Sequence, residues 1–328
     1  MNFWQELVTN KKPILGLSPM DGVTDAPTRY MVAKYGKPDV IYTVFVSVDA
    51  LHHTRGTGRW ERVVRALMRA RDLQSGIEKF PYEVAQIFGS KPELFQEAAE
   101  LVEELGFDGV DINMGCPARK VSENGAGAGL IRTPELAREI IRVTKAATSL
   151  PVSVKTRIGI DSVDEMESWI TTLVEEEPDM IVLHGRTLRQ MYTGKADWEA
   201  IKRAGEIAHS VGIPILGNGD VGSAMDANEK AKKYGVDGVL IGRASFGNPG
   251  IFAGIEPTIE QRMEWMVEHA RKFEEVYGGG VGEKWFLPMR KHLAWYARGF
   301  PGASELRQRL VRCSSVGEVE RVIEECRD

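Results

Sequence analysis

A cysteine in the first half of the chain stands where it could move a proton. Cys116 follows Asn113 in the sequence Asn-Met-Gly-Cys. It heads a loop of about twenty residues that runs to a predicted helix start at Pro134, and loops of that length are usually functional or disordered. A thiol whose pKa is about 8.5 is mostly protonated at neutral pH, so Cys116 suits a proton donor as well as a nucleophile. Cys313 and Cys326 fit the ordinary role of small buried apolar residues.

A lysine ends the run Val-Ser-Val-Lys, whose other residues favour a buried strand. Because burying an ammonium group without a partner is costly, Lys155 should meet an opposite charge or a ligand. Two functional roles fit: a Schiff-base nucleophile with a lowered pKa, or a cation that stabilises negative charge on a bound molecule. A salt bridge across the end of the sheet is the structural alternative, and we favour a ligand contact.

Two glycine-containing turns late in the sequence suit a phosphate. One reads Gly-Asn-Gly-Asp over 217–220, and the other is Gly242 followed by Arg243. Glycines let backbone N–H groups approach an anion, and the arginine adds a charged fork. The first turn alone fits an ordinary tight turn equally well, but the two turns together favour phosphate.

His184 ends the run Ile-Val-Leu-His, and Arg186 follows two residues later. A satisfied core histidine is the common alternative at such a position, but the adjacent arginine favours a polar site. No two histidines in the sequence have the H-E-x-x-H spacing of a metal site. We therefore expect no metal.

Eight short β-branched and apolar runs, each closed by a polar residue or a glycine, indicate strands. They cover residues 14–18, 40–46, 83–88, 109–113, 152–156, 180–184, 213–217 and 236–241. Helix start signals lie between them, so the strands should pair in parallel. The turn after the first run has no G-x-G-x-x-G motif, which argues against a doubly wound sheet. A (β/α)8 TIM barrel of about 250 residues, closing near Gly254, fits better.

Functional groups of such a barrel lie at the carboxyl ends of its strands. Seven of the eight predicted strand ends carry polar or reactive residues. In chain order these are Pro19, Met20 and Asp21; Gln86; Asn113 and Cys116; Lys155 and Arg157; His184 and Arg186; Asn218, Gly219 and Asp220; Gly242 and Arg243. Packing alone does not explain this shared position, so we expect one site.

Beyond Gly254 the pattern changes to helices without strands, including one predicted over 285–298. We therefore divide the chain into a barrel over 1–254 and a small all-helical domain over 255–328. Segment 284–312 carries seven basic residues and one acidic residue, interleaved with aromatic residues. That mixture serves a polyanion with stackable bases, although solvated charges and core aromatics are commoner. Six arginines over 55–71 are open to the same two interpretations.

The composition is that of a globular protein. The 328 residues are 43% hydrophobic and 27% charged, with a formal net charge of -5. No apolar run reaches about 18 residues and the first residues are unlike a signal peptide, so we expect a cytoplasmic protein without a membrane span. Three scattered cysteines exclude a disulfide framework. The acidic total argues against non-specific coating of nucleic acid, and we expect a monomer.

Taken together, these segments resemble the tRNA-dihydrouridine synthase family. The resemblance runs from Pro19 to near Arg309, and its ordered segments are SPMDGVTD, AQIFG, DGVDINMGCPARKV, VKTRIG, HGRT, GNGDV, GVDGVLIGRASFGNP and RKHLAWY. The C-terminal phrase RKHLAWYARGFPGASELR is most similar to the bacterial B-type branch. One such segment is modest evidence, whereas the ordered set is strong.

The resemblance implies an FMN-containing barrel with a helical RNA-recognition domain, which reduces the C5=C6 bond of uridines in tRNA with NADPH as electron donor. It implies that FMN is held by Pro19, Met20, Asp21, Gln86, Lys155, His184, Asn218, Gly219, Asp220, Gly242 and Arg243. It further implies that Asn113 holds the uracil, that hydride passes from reduced FMN to C6, and that Cys116 gives the proton to C5. The remaining expected substrate contacts are Arg157, Arg186, Lys284, Arg290 and Lys291.

Three other functions stay open at this point. An FMN barrel that acts on free pyrimidines, of the dihydroorotate dehydrogenase kind, would keep Cys116 but need no basic helical domain. A sugar-phosphate aldolase or isomerase would use Lys155 and the phosphate turns without flavin. A non-catalytic RNA-binding protein would need the basic segments and no reactive thiol. Ribosomal RNA also stays open beside tRNA as the substrate.

Overall fold

The computed structural model describes residues 1–73, 77–278 and 283–326. Its strands are β1 (Ile14–Leu17), β2 (Val40–Tyr42), β3 (Val46–Ser47), β4 (Tyr82–Phe88), β5 (Gly109–Met114), β6 (Val152–Arg157), β7 (Met180–His184), β8 (Ile215–Asn218) and β9 (Gly238–Ile241).

Helices separate most of these strands and follow the last one. The α-helices are α1 (Phe3–Thr9), α2 (Ala26–Tyr35), α3 (Val48–Thr54), α4 (Trp60–Val64), α5 (Pro92–Glu104), α6 (Arg119–Glu123), α7 (Pro134–Ala147), α8 (Met166–Val174), α9 (Trp198–Ser210), α10 (Ala224–Tyr234), α11 (Ile259–Tyr277), α12 (Met289–Tyr296), α13 (Ala303–Leu310) and α14 (Val316–Glu324). The 3-10 helices are Arg65–Leu67, Ala70–Leu73, Gly127–Arg132, Val163–Glu165, Arg243–Ser245, Pro249–Ala253 and Glu283–Phe286.

Eight parallel strands of the described chain close into a barrel. From β4 to β9 each strand pairs with the next, and β9 pairs with β1. The ring closes through β1 with β2 and β2 with β4. The short strand β3 lies beside the carboxyl end of β4, where Val46 aligns with Ile87. The predicted TIM barrel followed by helices is confirmed.

The prediction of one continuous strand over 40–46 is wrong, because the structure has two short strands there, β2 and β3, separated by a break. The backbone N–H of Thr43 donates to the Val84 carbonyl at 3.0 Å, and the Thr43 hydroxyl accepts the N–H of Gln86 at 2.9 Å. Because a side-chain oxygen takes the place of a backbone carbonyl in the ladder, the chain leaves the sheet after β2. It pairs again only in β3.

The amino end of the barrel is closed by the first helix. Phe3 and Trp4 of α1 pack with inward-facing strand residues such as Met180 and Val182 in an apolar cluster. Outward-facing residues of the same strands pack against the surrounding helices in the main core. A ligand site inside this barrel must therefore lie at the carboxyl ends of the strands.

The C-terminal helices share an apolar cluster with the barrel. Phe273 of α11 and Leu293 of α12 belong to the same cluster as Tyr30 and Met31 of α2. The domain boundary at residue 254 stays a prediction. The helix predicted over 285–298 begins only at α12, since Pro288 has no N–H to donate within a helix and stands at its start.

Candidate active site at the carboxyl end of the barrel

The mouth of the barrel joins residues that are far apart in the sequence. Lys155 Nζ donates to Asn218 Oδ1 at 3.2 Å, which links β6 to β8. Arg186 Nη2 donates to both carboxylate oxygens of Asp220, at 2.8 and 2.6 Å. Arg243 Nη2 reaches the same carboxylate at 3.1 Å from the turn after β9. Five residues expected at the site thus lie in neighbouring contacts at one side of the mouth.

Amide side chains of β4 and β5 form a directed chain of hydrogen bonds inside the barrel. Gln86 Nε2 donates to Asp111 Oδ2 at 2.7 Å, and Asn113 Nδ2 donates to Gln86 Oε1 at 2.9 Å. Asn113 Oδ1 accepts the backbone N–H groups of Gly115 and Cys116 at 3.1 and 2.8 Å. An amide nitrogen only donates, so Asp111 Oδ2 accepts from Gln86 and its position orients both amides.

Asp111 is a residue of this site that sequence reasoning missed. It is fully buried, and the Ser153 hydroxyl donates to its Oδ1 at 2.6 Å. Burial raises the pKa of Asp111 to about 7, although the hydrogen bonds from Ser153 and Gln86 and the charge of Lys155 oppose the rise. The signal was present in the sequence, because strand alternation places Asp111 on the face opposite Val110 and Ile112, which pack outward against the helices.

The Cys116 thiol lies at the start of the loop after β5, and the side chain is 9% exposed. This loop, expected to be long and irregular, contains α6 and a 3-10 helix. A Cβ on Gly127, whose φ is +56°, would come within 3.0 Å of the Cys116 Cβ, so the loop passes close to the cysteine. Burial raises the pKa of the thiol, and the charges of Arg157 and Lys155 offset only part of the rise. The thiol is neutral at pH 7, as a proton donor requires.

Lys155 supplies a cation in the same space. Burial lowers its pKa to about 8, and the charge of Arg157 adds to the effect while Asp111 opposes it. The ammonium form still dominates at pH 7. Asn218 Nδ2 donates to the Leu240 carbonyl at 2.9 Å, which turns Asn218 Oδ1 toward the lysine.

His184 ends β7 beside the turn that follows β8. A Cβ on Gly219, whose φ is +120°, would lie 3.0 Å from the imidazole ring, so the turn requires glycine. Burial lowers the pKa of His184 well below its ordinary value, and the cations Lys155, Arg157 and Arg186 lower it further. Arg186 Nη1 lies 3.3 Å from Nε2 and can only donate, so Nε2 accepts and Nδ1 carries the hydrogen.

Asp220 sits between two arginines in the turn expected to hold phosphate. Its φ of 49° places the residue in the left-handed region, and its Oδ2 also accepts the N–H of Ala196 at 2.8 Å. Burial raises the pKa of Asp220, but hydrogen bonds and charges, chiefly those of Arg186, bring the net shift below the ordinary value. The Arg243 side chain is 60% exposed and points a charged fork at the mouth. Two cations against one carboxylate leave this corner positive.

Both rim arginines expected to contact substrate hold loops in place. Arg157 donates to the carbonyls of Gly115, Thr187 and Met191 at 2.8, 3.0 and 2.9 Å. Arg186 donates to the carbonyls of Thr193 and Gly194 at 3.1 and 2.7 Å. Burial lowers the pKa of Arg157 to about 10, which leaves it charged. A direct contact of either arginine with substrate stays a prediction.

The turn with Pro19, Met20 and Asp21 joins the mouth to the helical region. A Cβ on Gly242 would lie 3.6 Å from Met20 Sδ, so the turns after β1 and β9 are neighbours. Lys291 Nζ on α12 donates to the carbonyl of Gly22, the residue after Asp21. Burial lowers the pKa of Lys291, while the carboxylates of Asp25 and Asp21 oppose this.

The basic segment of the helical region is partly structural. Arg290 donates to the carbonyls of Cys313 and Arg312 at 2.8 and 3.1 Å and so binds the end of α13. The Trp295 ring stacks on Phe246 with centroids 3.9 Å apart. The side chain of Lys284 lies outside the described residues.

The arginine-rich stretch over 55–71 extends to the opposite end of the barrel. Arg69 Nη1 donates to the Gly106 carbonyl at 2.9 Å, and Arg71 pairs with Asp108; both partners directly precede β5. These two arginines therefore serve the amino end of the barrel, away from the mouth.

Two absences hold for the part of the chain that the structure describes. No group of three or more His, Cys, Asp or Glu side chains there could hold a metal ion. None of its helices combines the length and apolarity needed to cross a bilayer.

The fold and its mouth define a barrel enzyme with a positive corner for an anionic ligand and a neutral thiol near it. Comparison with known proteins narrows this class. The model of the dihydrouridine synthase family matches residues 16–327. The chain belongs to that family.

Curated relatives agree over nearly the full length. A Staphylococcus aureus (strain MRSA252) protein named "Probable tRNA-dihydrouridine synthase" is 36% identical, with 99% of this chain and 95% of the relative covered. A Bacillus subtilis (strain 168) protein named "Probable tRNA-dihydrouridine synthase 2" is also 36% identical, with 99% and 96% covered.

Solved structures support the barrel fold. A 2-naphthoyl-CoA reductase in complex with 2-naphthoyl-CoA aligns with a TM-score of 0.56 at 8% identity, covering 73% of this chain and 49% of that one. A morphinone reductase in complex with tetrahydroNAD aligns with a TM-score of 0.50 at 12% identity, covering 76% and 89%. At such identities the likeness concerns the fold alone.

Proposed function

We propose that this protein reduces the C5=C6 bond of uridines in tRNA to dihydrouridine, with FMN as cofactor and NADPH as electron donor. The observation that carries the proposal is the neutral Cys116 thiol at the barrel mouth, tied through Asn113 to the buried amides of β4 and β5. The curated relatives are named for tRNA dihydrouridine synthesis, which supports the choice of substrate.

The residues of the mouth fit a flavin mononucleotide. Arg243 and the glycine turns 217–220 and 242 suit its phosphate, because the corner has two cations against one carboxylate and glycines let backbone N–H groups approach an anion. Lys155 suits the electron-rich edge of the ring system, where a cation at neutral pH would stabilise the negative charge of the reduced form. Gln86 keeps one amide hydrogen that has no partner among the described residues.

Asn113 can only donate a hydrogen bond to a substrate and cannot accept one. Its Oδ1 already accepts two backbone N–H groups, and its Nδ2 uses one hydrogen on Gln86. The remaining amide hydrogen can therefore recognise a carbonyl oxygen, which uracil presents at C2 and C4. A donor at the C4 carbonyl would also stabilise charge that develops on C5 during reduction.

Reduction of the C5=C6 bond adds a hydride and a proton, and Cys116 is the source of the proton. FMN held by these residues would supply, in its reduced form, the hydride for C6 of the uracil. The thiol gives its proton to C5, and its raised pKa keeps that proton present at pH 7. The thiolate left behind lies near Arg157 and Lys155, whose charges stabilise it until it is reprotonated from solvent.

The test is reconstitution with purified components. Protein loaded with FMN is incubated with NADPH and tRNA from cells that lack the protein, and dihydrouridine is measured by mass spectrometry of the digested RNA. We expect product from the wild type, and from Cys116→Ala a full flavin content with most turnover lost. Near-full turnover in that variant would overturn the role of the thiol.

Controls separate the other functions. Turnover of free uracil or dihydroorotate at the rate of tRNA would favour an enzyme of free pyrimidines. A protein that binds no flavin would favour the sugar-phosphate enzyme. Ribosomal RNA from the same cells, assayed in parallel, decides between the two RNA substrates.

A further inference from the structure

One aromatic side chain stands out on the surface at the barrel mouth. Tyr192 is 60% exposed, and among the Phe, Tyr and Trp residues of the described ranges it is the only one that is exposed rather than buried or half-buried. It lies in the loop after β7, residues 185–197, which we name the rim loop. Exposing a large aromatic ring to water is unfavourable. A binding partner that covers the Tyr192 ring would remove this cost.

The rim loop holds Tyr192 in a defined place. Arg157 donates to the carbonyl of Met191 at 2.9 Å, and Arg186 donates to the carbonyls of Thr193 and Gly194. Met191 itself has a φ of 50°, a left-handed conformation that is costly for this residue type and persists only when the surroundings impose it. Two buried arginines thus fix the backbone on both sides of the tyrosine.

The position of the ring relates it to the proposed proton donor. The Arg157 guanidinium lies 6.0 Å from the centroid of the Tyr192 ring. The same guanidinium donates to the carbonyl of Gly115, which directly precedes Cys116. Tyr192 and the start of the Cys116 loop therefore lie near the same arginine, at one side of the barrel mouth.

The chemistry around the ring suits RNA. Lys195 of the rim loop is exposed, and so is Arg189, which pairs with Asp161 at 2.8 Å. Arg243, in the turn after β9, is a further exposed cation. An aromatic face among cations is the usual arrangement for single-stranded nucleic acid, whose bases stack while its phosphates meet the charges.

We propose that Tyr192 stacks on the base of the nucleotide next to the uridine that is reduced. The inference rests on the proposed function, since it assumes that the uridine reaches Cys116. It adds a base contact outside the reacting pyrimidine. Any base offers a face for stacking, so the contact strengthens binding without demanding a particular neighbouring base.

Direct binding to short RNA tests the contact apart from catalysis. The probes are two oligoribonucleotides with one central uridine, whose neighbours are adenosines in the first and abasic residues in the second. We expect the wild type to bind the first tighter by roughly tenfold, the scale of one base on one aromatic ring. Tyr192→Ala should abolish that difference and Tyr192→Phe should keep it. Equal binding of the two probes by the wild type, or an unchanged difference in Tyr192→Ala, would overturn the proposal.

A matched control and a second readout exclude a merely structural role. Met225→Ala removes an apolar side chain on α10 that is 71% exposed, and it should bind both probes as the wild type does. FMN content should be equal in all variants; its loss in Tyr192→Ala would show that the ring supports the barrel mouth and not the RNA. In turnover, Tyr192→Ala should raise KM for tRNA and leave kcat within a few-fold. A wild type that binds the probes as expected but makes no dihydrouridine would contradict the proposed function and not this contact.

Discussion

The Nε2 atom of Gln86 lies 2.7 Å from Oδ2 of Asp111, and this single contact sets the direction of every hydrogen bond up to Cys116. Gln86 must then accept from Asn113, and Asn113 must accept the Cys116 N–H. A buried carboxylate below the mouth therefore orients the amides that face the ligand.

Removing the Asp111 carboxylate, which accepts the hydrogen bond from Gln86, should lower turnover. In Asp111→Ala the Gln86 amide is free to turn, so Asn113 and Cys116 lose their fixed positions. We expect turnover on tRNA to fall by about 10- to 100-fold, the scale of small misplacements of reacting groups. Asp111→Asn is the matched variant, since its carbonyl can still accept from Gln86, and it should stay within a few-fold of the wild type. Equal loss in both variants would show that the charge matters and not the orientation.

FMN affinity should depend on pH through Lys155. The pKa of this lysine is about 8, so its positive charge is present below pH 8 and is lost as the pH rises through that value. We expect the affinity, measured by quenching of flavin fluorescence, to fall by up to about tenfold per pH unit above 8. Lys155→Arg keeps its charge and should show a flat profile between pH 8 and 9.5. A profile in that variant that follows the wild type would exclude Lys155 as the titrating group.

Lys291 should contribute more to FMN binding, through the turn after β1, than to RNA binding. Its ammonium group donates to the carbonyl of Gly22, beside the turn of Pro19, Met20 and Asp21. We expect Lys291→Met to lower FMN affinity by roughly tenfold, the cost of about one charge-assisted hydrogen bond. Arg312→Met removes an exposed cation of the same basic segment and should leave FMN affinity unchanged. Unaltered FMN binding in Lys291→Met, with weakened tRNA binding, would contradict this and favour a direct RNA contact.

The stability of the fold should depend on one buried ion pair at the amino end of the barrel. Arg29 Nε donates to Glu83 Oε1 at 3.0 Å with both side chains fully buried, and the N–H of Ala70 donates to the same oxygen at 2.7 Å. Glu83→Gln leaves the guanidinium without a countercharge, and we expect urea denaturation to show about 3–5 kcal/mol lower free energy of unfolding. Glu123→Gln breaks an exposed pair with Arg119 and should cost less than about 1 kcal/mol. A loss below that level in Glu83→Gln would show that the buried pair is dispensable.

Much of the site was predictable because parallel strands in a barrel end together. His184 and Asn218 end their strands, Lys155 lies two residues before the end of β6, and Arg243 lies two residues after β9. Strand periodicity alone therefore places them near one mouth. The same periodicity could have placed Asp111 inside the barrel, and it was overlooked because it lies below the strand end. Sequence motifs also allowed the family resemblance, which the family match over residues 16–327 confirms.

Local patterns determined the order of strands and helices and the residues that the barrel presents at its carboxyl end. Only the tertiary structure decided which of those residues already use their hydrogen-bonding groups on other parts of the protein. Arg157 is satisfied by three carbonyls of two loops, and Lys291 bonds to a carbonyl 269 positions away in the chain. Such contacts depend on strand register and helix packing, which bring distant groups within 3 Å and leave no trace in local spacing.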